Sequence, residues 1–199
     1  MEVSFILIFI CSYIIGSIPF AYLLTLLFGF GDIRKLGSGN VGATNALRTG
    51  KKSLATTVLI FDILKGFIPI TFLFLYYELN YSNFLIIFFG SLTILGHVFP
   101  IWLKFKGGKG VATYLGFILG INYKIGLVFI FSWILVAFYK RYSSLASIMA
   151  LICVSISSLI FLHDIKIIYF IISINILIIF MHNSNIKKLI NGSENKIKF

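Results

Sequence analysis

Six stretches of this chain, residues 3–28, 54–77, 84–103, 125–139, 145–162 and 165–181, stay apolar for 15 to 26 residues each. A helix needs ~20 such residues to cross the hydrocarbon core of a bilayer. A water-soluble fold cannot hide six of them in 199 residues. Charged residues are only 12% of the chain, against ~25% in a soluble domain that must coat itself with water-facing groups. Disorder is excluded for the opposite reason, since apolar residues dominate. The expectation is an all-α membrane protein forming one domain over residues 1–199. The first run lacks the basic opening of a signal peptide, with Glu2 in its place, and so reads as a span. Cys11 and Cys153 both sit inside apolar runs, which argues against a disulfide framework or a thiolate metal site.

A seventh run, residues 111–121, is short enough to be either a crossing or a re-entrant segment. The basic residues decide between the two. If it crosses, segments 29–53, 104–110, 140–144 and the tail after 181 share one side, and that side holds 14 of the 17 Lys and Arg residues. The other side carries Lys124 and Lys166 beside Glu2, Glu78 and Asp164. Cytoplasmic loops collect Lys and Arg, so seven spans are expected, with the amino terminus outside and the carboxyl terminus in the cytoplasm. The net charge of +11 then reflects this bias and attraction to anionic lipid headgroups. Nucleic acid is not an expected partner, because no soluble basic face interleaved with aromatics is present.

The loops on the basic side carry the chemistry. The first contains Gly37-Ser38-Gly39-Asn40-Val41-Gly42-Ala43-Thr44-Asn45 and, three residues later, Arg48. Its Gly-x-Gly-x-x-Gly spacing formally matches a dinucleotide fingerprint, and Asp62 even follows Gly42 by 20 residues. That fingerprint needs a preceding strand and a βαβ unit, whereas membrane runs flank this loop. A Walker A loop is absent too, since Ala43 and Thr44 follow Gly42. The residue types nevertheless suit phosphate. Gly37, Gly39 and Gly42 let backbone N–H groups approach an anion, Ser38, Asn40, Thr44 and Asn45 add neutral donors, and Arg48 adds a planar fork.

The second loop runs from Gly96-His97 through Pro100 to Gly107-Gly108-Lys109-Gly110. It presents a lysine among glycine amides just ahead of an apolar helix, another anion-binding arrangement. In the tail, His182 and Asn185 share a face if the last helix continues through them. Asp62 and Lys65 lie inside a span at i,i+3, where ionisable groups are costly and functional by default. Ser144 and Ser147 follow Lys140-Arg141 at the same membrane level.

These motifs resemble the bacterial glycerol-3-phosphate acyltransferase family that uses acyl phosphate as donor. The likeness rests on residues 37–48, on Gly96-His97-x-Phe99-Pro100 continuing into Gly107–Thr113, and on His182-x-x-Asn185-Ile186-x-x-Leu189-x-x-Gly192-x-Glu194. Asp62, Lys65 and Arg141-Tyr142-x-Ser144-Leu145 also fit. Asn183 and Lys188 stand where the family often has arginine.

The resemblance implies transfer of an acyl group to the 1-hydroxyl of glycerol-3-phosphate, giving 1-acyl-glycerol-3-phosphate and phosphate at the inner membrane. It implies Ser38, Arg48, Lys109, His182 and Asn185 in catalysis. Gly37, Gly39, Asn40, Gly42, Thr44, Asn45, His97, Gly107, Gly108, Ser144, Ser147 and Glu194 would contact substrate. The expected partners are the two substrates and membrane lipid, for a monomer without cofactor or metal. A transporter of a phosphorylated organic anion would use similar loops. A headgroup transferase acting on a nucleotide-activated lipid would need a metal-binding carboxylate cluster, which Asp32, Asp62 and Glu194 do not form in sequence. None of His97, His163 and His182 has an aspartate five positions on, so the His-x-x-x-x-Asp base of other acyltransferases is missing. No Gly-x-Ser-x-Gly nucleophile elbow is present either.

Overall fold

Pro19 lacks a backbone donor and cannot continue a helix behind it, and the first apolar run breaks there. A computed structural model describes residues 2–77 and 82–197. In it α1 (Glu2–Ser17) and α2 (Phe20–Leu27) meet at 42°. Glu78 and Lys198, which enter the count of charges on the two sides, lie outside the described residues. All regular structure among the described residues is helical.

The chain divides into two compact units, Met1–Ile121 and Asn122–Phe199. In the first, α2 leads through a short turn (Ile33–Lys35) and a one-turn helix α3 (Ala43–Ala46) into α4 (Lys52–Tyr77). Next come α5 (Asn83–Val98), capped by the Ser82 hydroxyl, which accepts from the Leu85 amide, and α6 (Val111–Ile121). Helix α1 packs on α5, and α4 packs on both α5 and α6. Glycine sets how closely these pairs approach. A Cβ on Gly66 of α4 would strike the Thr113 carbonyl, and one on Gly116 of α6 would strike that of Ile63. Small residues at such contacts let membrane helices associate by dispersion without a hydrophobic driving force.

The second unit holds α7 (Tyr123–Lys140), α8 (Ser143–Phe161), α9 (Ile165–Phe180) and α10 (Asn183–Ile190). Asn122 and Asp164 cap α7 and α9 by accepting from backbone amides. Within the apolar layer, Asn175 of α9 donates to the Leu151 carbonyl and the Ser155 hydroxyl of α8, at 3.2 and 2.8 Å.

The surface is inverted relative to a soluble protein. Leu27, Leu75, Phe138 and Phe180 are 69 to 80% exposed, as lipid-facing side chains must be. Helices α4, α7, α8 and the stretch Asn83–Leu103 are each long and apolar enough to span, and the bent pairs α1–α2 and α9–α10 raise the number to as many as six. The expected seventh span, α6, has 11 residues, roughly 16 Å at the usual helical rise, about half the hydrocarbon thickness.

Candidate active site

The first glycine-rich loop is built around one buried amide. Asn45, 1% exposed, donates through Nδ2 to the carbonyls of Ile33, Leu36 and Asn40 at 3.1, 2.9 and 3.0 Å. Its Oδ1 accepts from the Ser38 amide and hydroxyl at 2.9 and 3.3 Å. Expected as a substrate contact, Asn45 instead has every polar site engaged within its own loop. Gly37 must lie flat against this hub. It adopts φ +53°, and a Cβ there would meet Asn45 Oδ1 and come within 2.7 Å of Arg48 Cδ. The fold of the loop therefore leaves Ser38, Thr44 and Arg48 exposed at its rim.

Two arginines share this loop and their surroundings differ. Arg34 grips Asp32 through both Nε and Nη2, at 2.7 to 3.1 Å, and stacks 5.2 Å from the Tyr22 ring centroid. The Arg34 hydrogen bonds hold the Asp32 carboxyl below the usual carboxylate range. Among the described residues, no acidic side chain lies within ion-pair distance of Arg48. Arg48 thus keeps a guanidinium fork for an external anion, and Arg34 does not.

The second loop folds back on the end of α5. The Gly107 amide donates to the Val98 carbonyl and the Gly108 amide to that of His97, both at 3.1 Å. Lys104 and Phe105 take left-handed conformations, at φ 52° and 61°, to make the reversal. A Cβ on Gly107 would overlap the His97 carbonyl and the Pro100 ring, and one on Gly108 would overlap the His97 ring and the Val41 carbonyl. The two loops therefore meet at Val41 and Gly108. Lys109, half-buried, follows directly ahead of α6. Beneath the meeting point is a narrow, tightly closed crevice lined by Ser17, Pro19, Val41, Asp62, Lys65 and His97 among others.

The second unit carries the tail motif. Helix α9 stops at Phe180 and the chain bends by 60° into α10, so His182 and Asn185 do not lie on a straight continuation of α9. His182 is 2% exposed and its Nδ1 lies 2.8 Å from the Ile178 carbonyl. A carbonyl only accepts, so Nδ1 donates a proton to it. Glu194 Oε1 accepts from Ser144 Oγ and Asn185 Nδ2, each at 2.8 Å. This draws the tail onto the start of α8, where the Ile197 amide also donates to the Arg141 carbonyl at 2.6 Å. Ser147, 3% exposed, donates to the Ser143 carbonyl at 2.9 Å and accepts from Trp133 Nε1 at 3.1 Å. Trp133 and the clasp through Glu194 carried no local sequence signal, because their partners lie 9 to 50 positions away.

Comparison with known proteins gives one consistent result. Residues 6–192 match a family model described as glycerol-3-phosphate acyltransferase. A glycerol-3-phosphate acyltransferase of Pelagibacter ubique is 47% identical over 196 residues, covering 98% of both chains. One of Bartonella henselae is 46% identical, covering 96% of this chain and 90% of the relative. Among solved structures, PlsY (YgiH), an integral membrane glycerol 3-phosphate acyltransferase, superposes in its glycerol 3-phosphate form with a TM-score of 0.91. It is 36% identical, and the match covers 98% of this chain and 96% of that one. Its lysophosphatidic acid form gives a TM-score of 0.89 at 35% identity.

Proposed function

The chain belongs to the glycerol-3-phosphate acyltransferase family and acylates glycerol-3-phosphate, and from that premise we propose acyl phosphate as its donor and assign the parts played by its loops. The 1-hydroxyl oxygen of glycerol-3-phosphate attacks the acyl carbonyl. The new ester bond forms as the acyl–phosphate bond breaks, and the departing phosphate takes the hydroxyl proton. A mixed anhydride already has a good leaving group, so the protein has mainly to position charge and stabilise it. The lack of a His-x-x-x-x-Asp base and of an activated nucleophile agrees with such a reaction.

The observation that carries the assignment is the contrast between Arg34 and Arg48. Arg48, with no acidic partner among the described residues, gives a substrate phosphate its fork, with Ser38, Thr44 and the loop amides at Gly37, Asn40 and Gly42 around it, while the Gly39 amide is taken by the Leu36 carbonyl at 2.8 Å. Lys109 neutralises a phosphate from the Gly107-Gly108 turn. Asn45 serves by holding the loop in shape. In the second unit we assign Ser144, Asn185 and His182 to substrate, with Glu194 holding the first two in place and Ser147 steadying the start of α8.

We read the whole chain as one acyltransferase domain, acting as a monomer in the bacterial inner membrane with no cofactor or metal. Seven crossings put the amino terminus outside and the loops in the cytoplasm. Helix α6 is short for a crossing, but its inner side chains Tyr114, Phe117 and Ile118 are fully buried by protein, and Lys109 and Lys124 flank its two ends.

The donor is tested by incubating purified protein with labelled glycerol-3-phosphate and either palmitoyl phosphate or palmitoyl-CoA. Lysophosphatidate with equimolar phosphate release from palmitoyl phosphate alone is expected. Product from the thioester and none from the acyl phosphate would overturn the assignment.

A further inference from the structure

Three ionisable side chains lie below the meeting point of the two loops, all within Met1–Ile121. Asp62 and Lys65 of α4 and His97 of α5 are 2, 4 and 8% exposed. Lys65 Nζ stands 2.8 Å from Asp62 Oδ1 and donates to the Ile18 carbonyl, at the α1–α2 break, at 2.9 Å. It also lies 5.6 Å from the centre of the Phe20 ring. His97 Nδ1 lies 3.6 Å from the same carboxylate oxygen, and the opposite edge of the ring is the floor on which Gly108 rests. One carboxylate therefore links the break between α1 and α2, the middle of α4, and the ring under the second loop.

Stability alone is a poor account of this cluster. A buried ion pair is on balance often no better than apolar residues of the same shape. The location of this one supplies a better account. The ring that Asp62 faces touches Gly108, Gly108 touches Val41 of the first loop, and Lys109 is the next residue.

We propose that Asp62, Lys65 and His97 are positioning residues, a buried cluster that sets the height and orientation of the Gly107–Lys109 turn against the first loop so that Lys109 meets the substrate phosphate. This rests on the phosphate-binding role proposed for the two loops. Asp62 orients the His97 ring, the ring seats Gly108, and Lys65 ties the middle of α4 to the α1–α2 break beneath it. None of the three side chains touches substrate in this reading.

The test separates positioning from folding. Removing one member strands a buried charge and threatens the fold, so the informative variant is the double Asp62→Leu, Lys65→Met, which removes both charges. Thermal unfolding in detergent should remain near the wild-type midpoint, while KM for glycerol-3-phosphate or for the acyl donor rises about tenfold and kcat changes less, since a displaced binding group costs about that much. Wild-type KM values would overturn the proposal, as would a collapse of kcat at unchanged KM, which marks a group acting in the chemistry. If the double variant fails to fold, His97→Phe, which keeps a flat ring under Gly108 but loses Nδ1, must show the same rise in KM or the proposal fails. The KM for glycerol-3-phosphate is readable with whichever acyl donor the wild-type enzyme accepts. Failure of acyl phosphate as donor is therefore distinguishable from failure of the cluster.

Discussion

Both glycine-rich loops are basic and both are rich in backbone amides, yet they are held by different means. Residues 36–48 take their shape from one neutral side chain, Asn45, whose amide reaches three carbonyls and whose oxygen takes Ser38. Residues 104–110 have no such hub. They are laid on the end of α5 by two backbone hydrogen bonds and by glycines too close to His97 and Val41 for any side chain. The first loop is thus specified by hydrogen bonds and the second by steric contact. Damage to the first should change its shape, and damage to the second its height.

The sharpest break in that comparison comes at Arg48. Arg48→Ala should lower kcat/KM about 10³-fold, and Arg48→Lys about 10²-fold, because a point charge does not replace a bidentate fork. Wild-type-like rates for Arg48→Ala in the phosphate-release assay would remove the first loop from the site.

Asn45→Leu comes next. It strands three carbonyls and the Ser38 donors, which should destabilise the protein by about 1–3 kcal/mol and reduce activity about 10²-fold through misplacement of Ser38 and Arg48. Thermal unfolding and initial rates measured on one preparation check both effects.

Gly108→Ala should leave the first loop untouched but lift the second from His97. An overpacked contact of this kind costs about 1–3 kcal/mol, and we expect about a tenfold loss of kcat/KM. A Gly108→Ala variant with full activity would contradict the steric account of the second loop.

Arg34→Ala should have the smallest effect, with activity within about twofold of wild type, since an exposed ion pair contributes little. Asp32 titrates below its ordinary value in the folded protein. Its contribution to stability is therefore complete above about pH 4 and disappears as pH falls through the lowered value. The difference in unfolding midpoint between wild type and Arg34→Ala should stay constant from about pH 5 to 8 and shrink in stronger acid.

Much of this architecture was legible in the chain. Apolar runs over 54–77, 125–139 and 145–162 end within a few residues of α4, α7 and α8, because a bilayer demands length and hydrophobicity that composition displays directly. The bends at Pro19 and after Phe180 were not marked out by hydropathy, which sums over a bend as readily as over a straight helix. The glycine loops were recognisable by residue type, and Arg48 stood out from the neutral residues around it. Which arginine was free of an acid was not legible, because Asp32 precedes Arg34 by two residues and only the short turn at Ile33–Lys35 brings their side chains together. The same holds for Asn45: the sequence shows its amide but not the three carbonyls that the loop folds around it.

The central claim is that, of the two arginines in the first loop, Arg48 alone holds substrate phosphate. Equilibrium binding of glycerol-3-phosphate to purified wild-type, Arg34→Lys and Arg48→Lys proteins tests it without dependence on the donor. Wild-type affinity in Arg34→Lys and a loss of about tenfold or more in Arg48→Lys are predicted. Equal affinity in the two variants would contradict the claim.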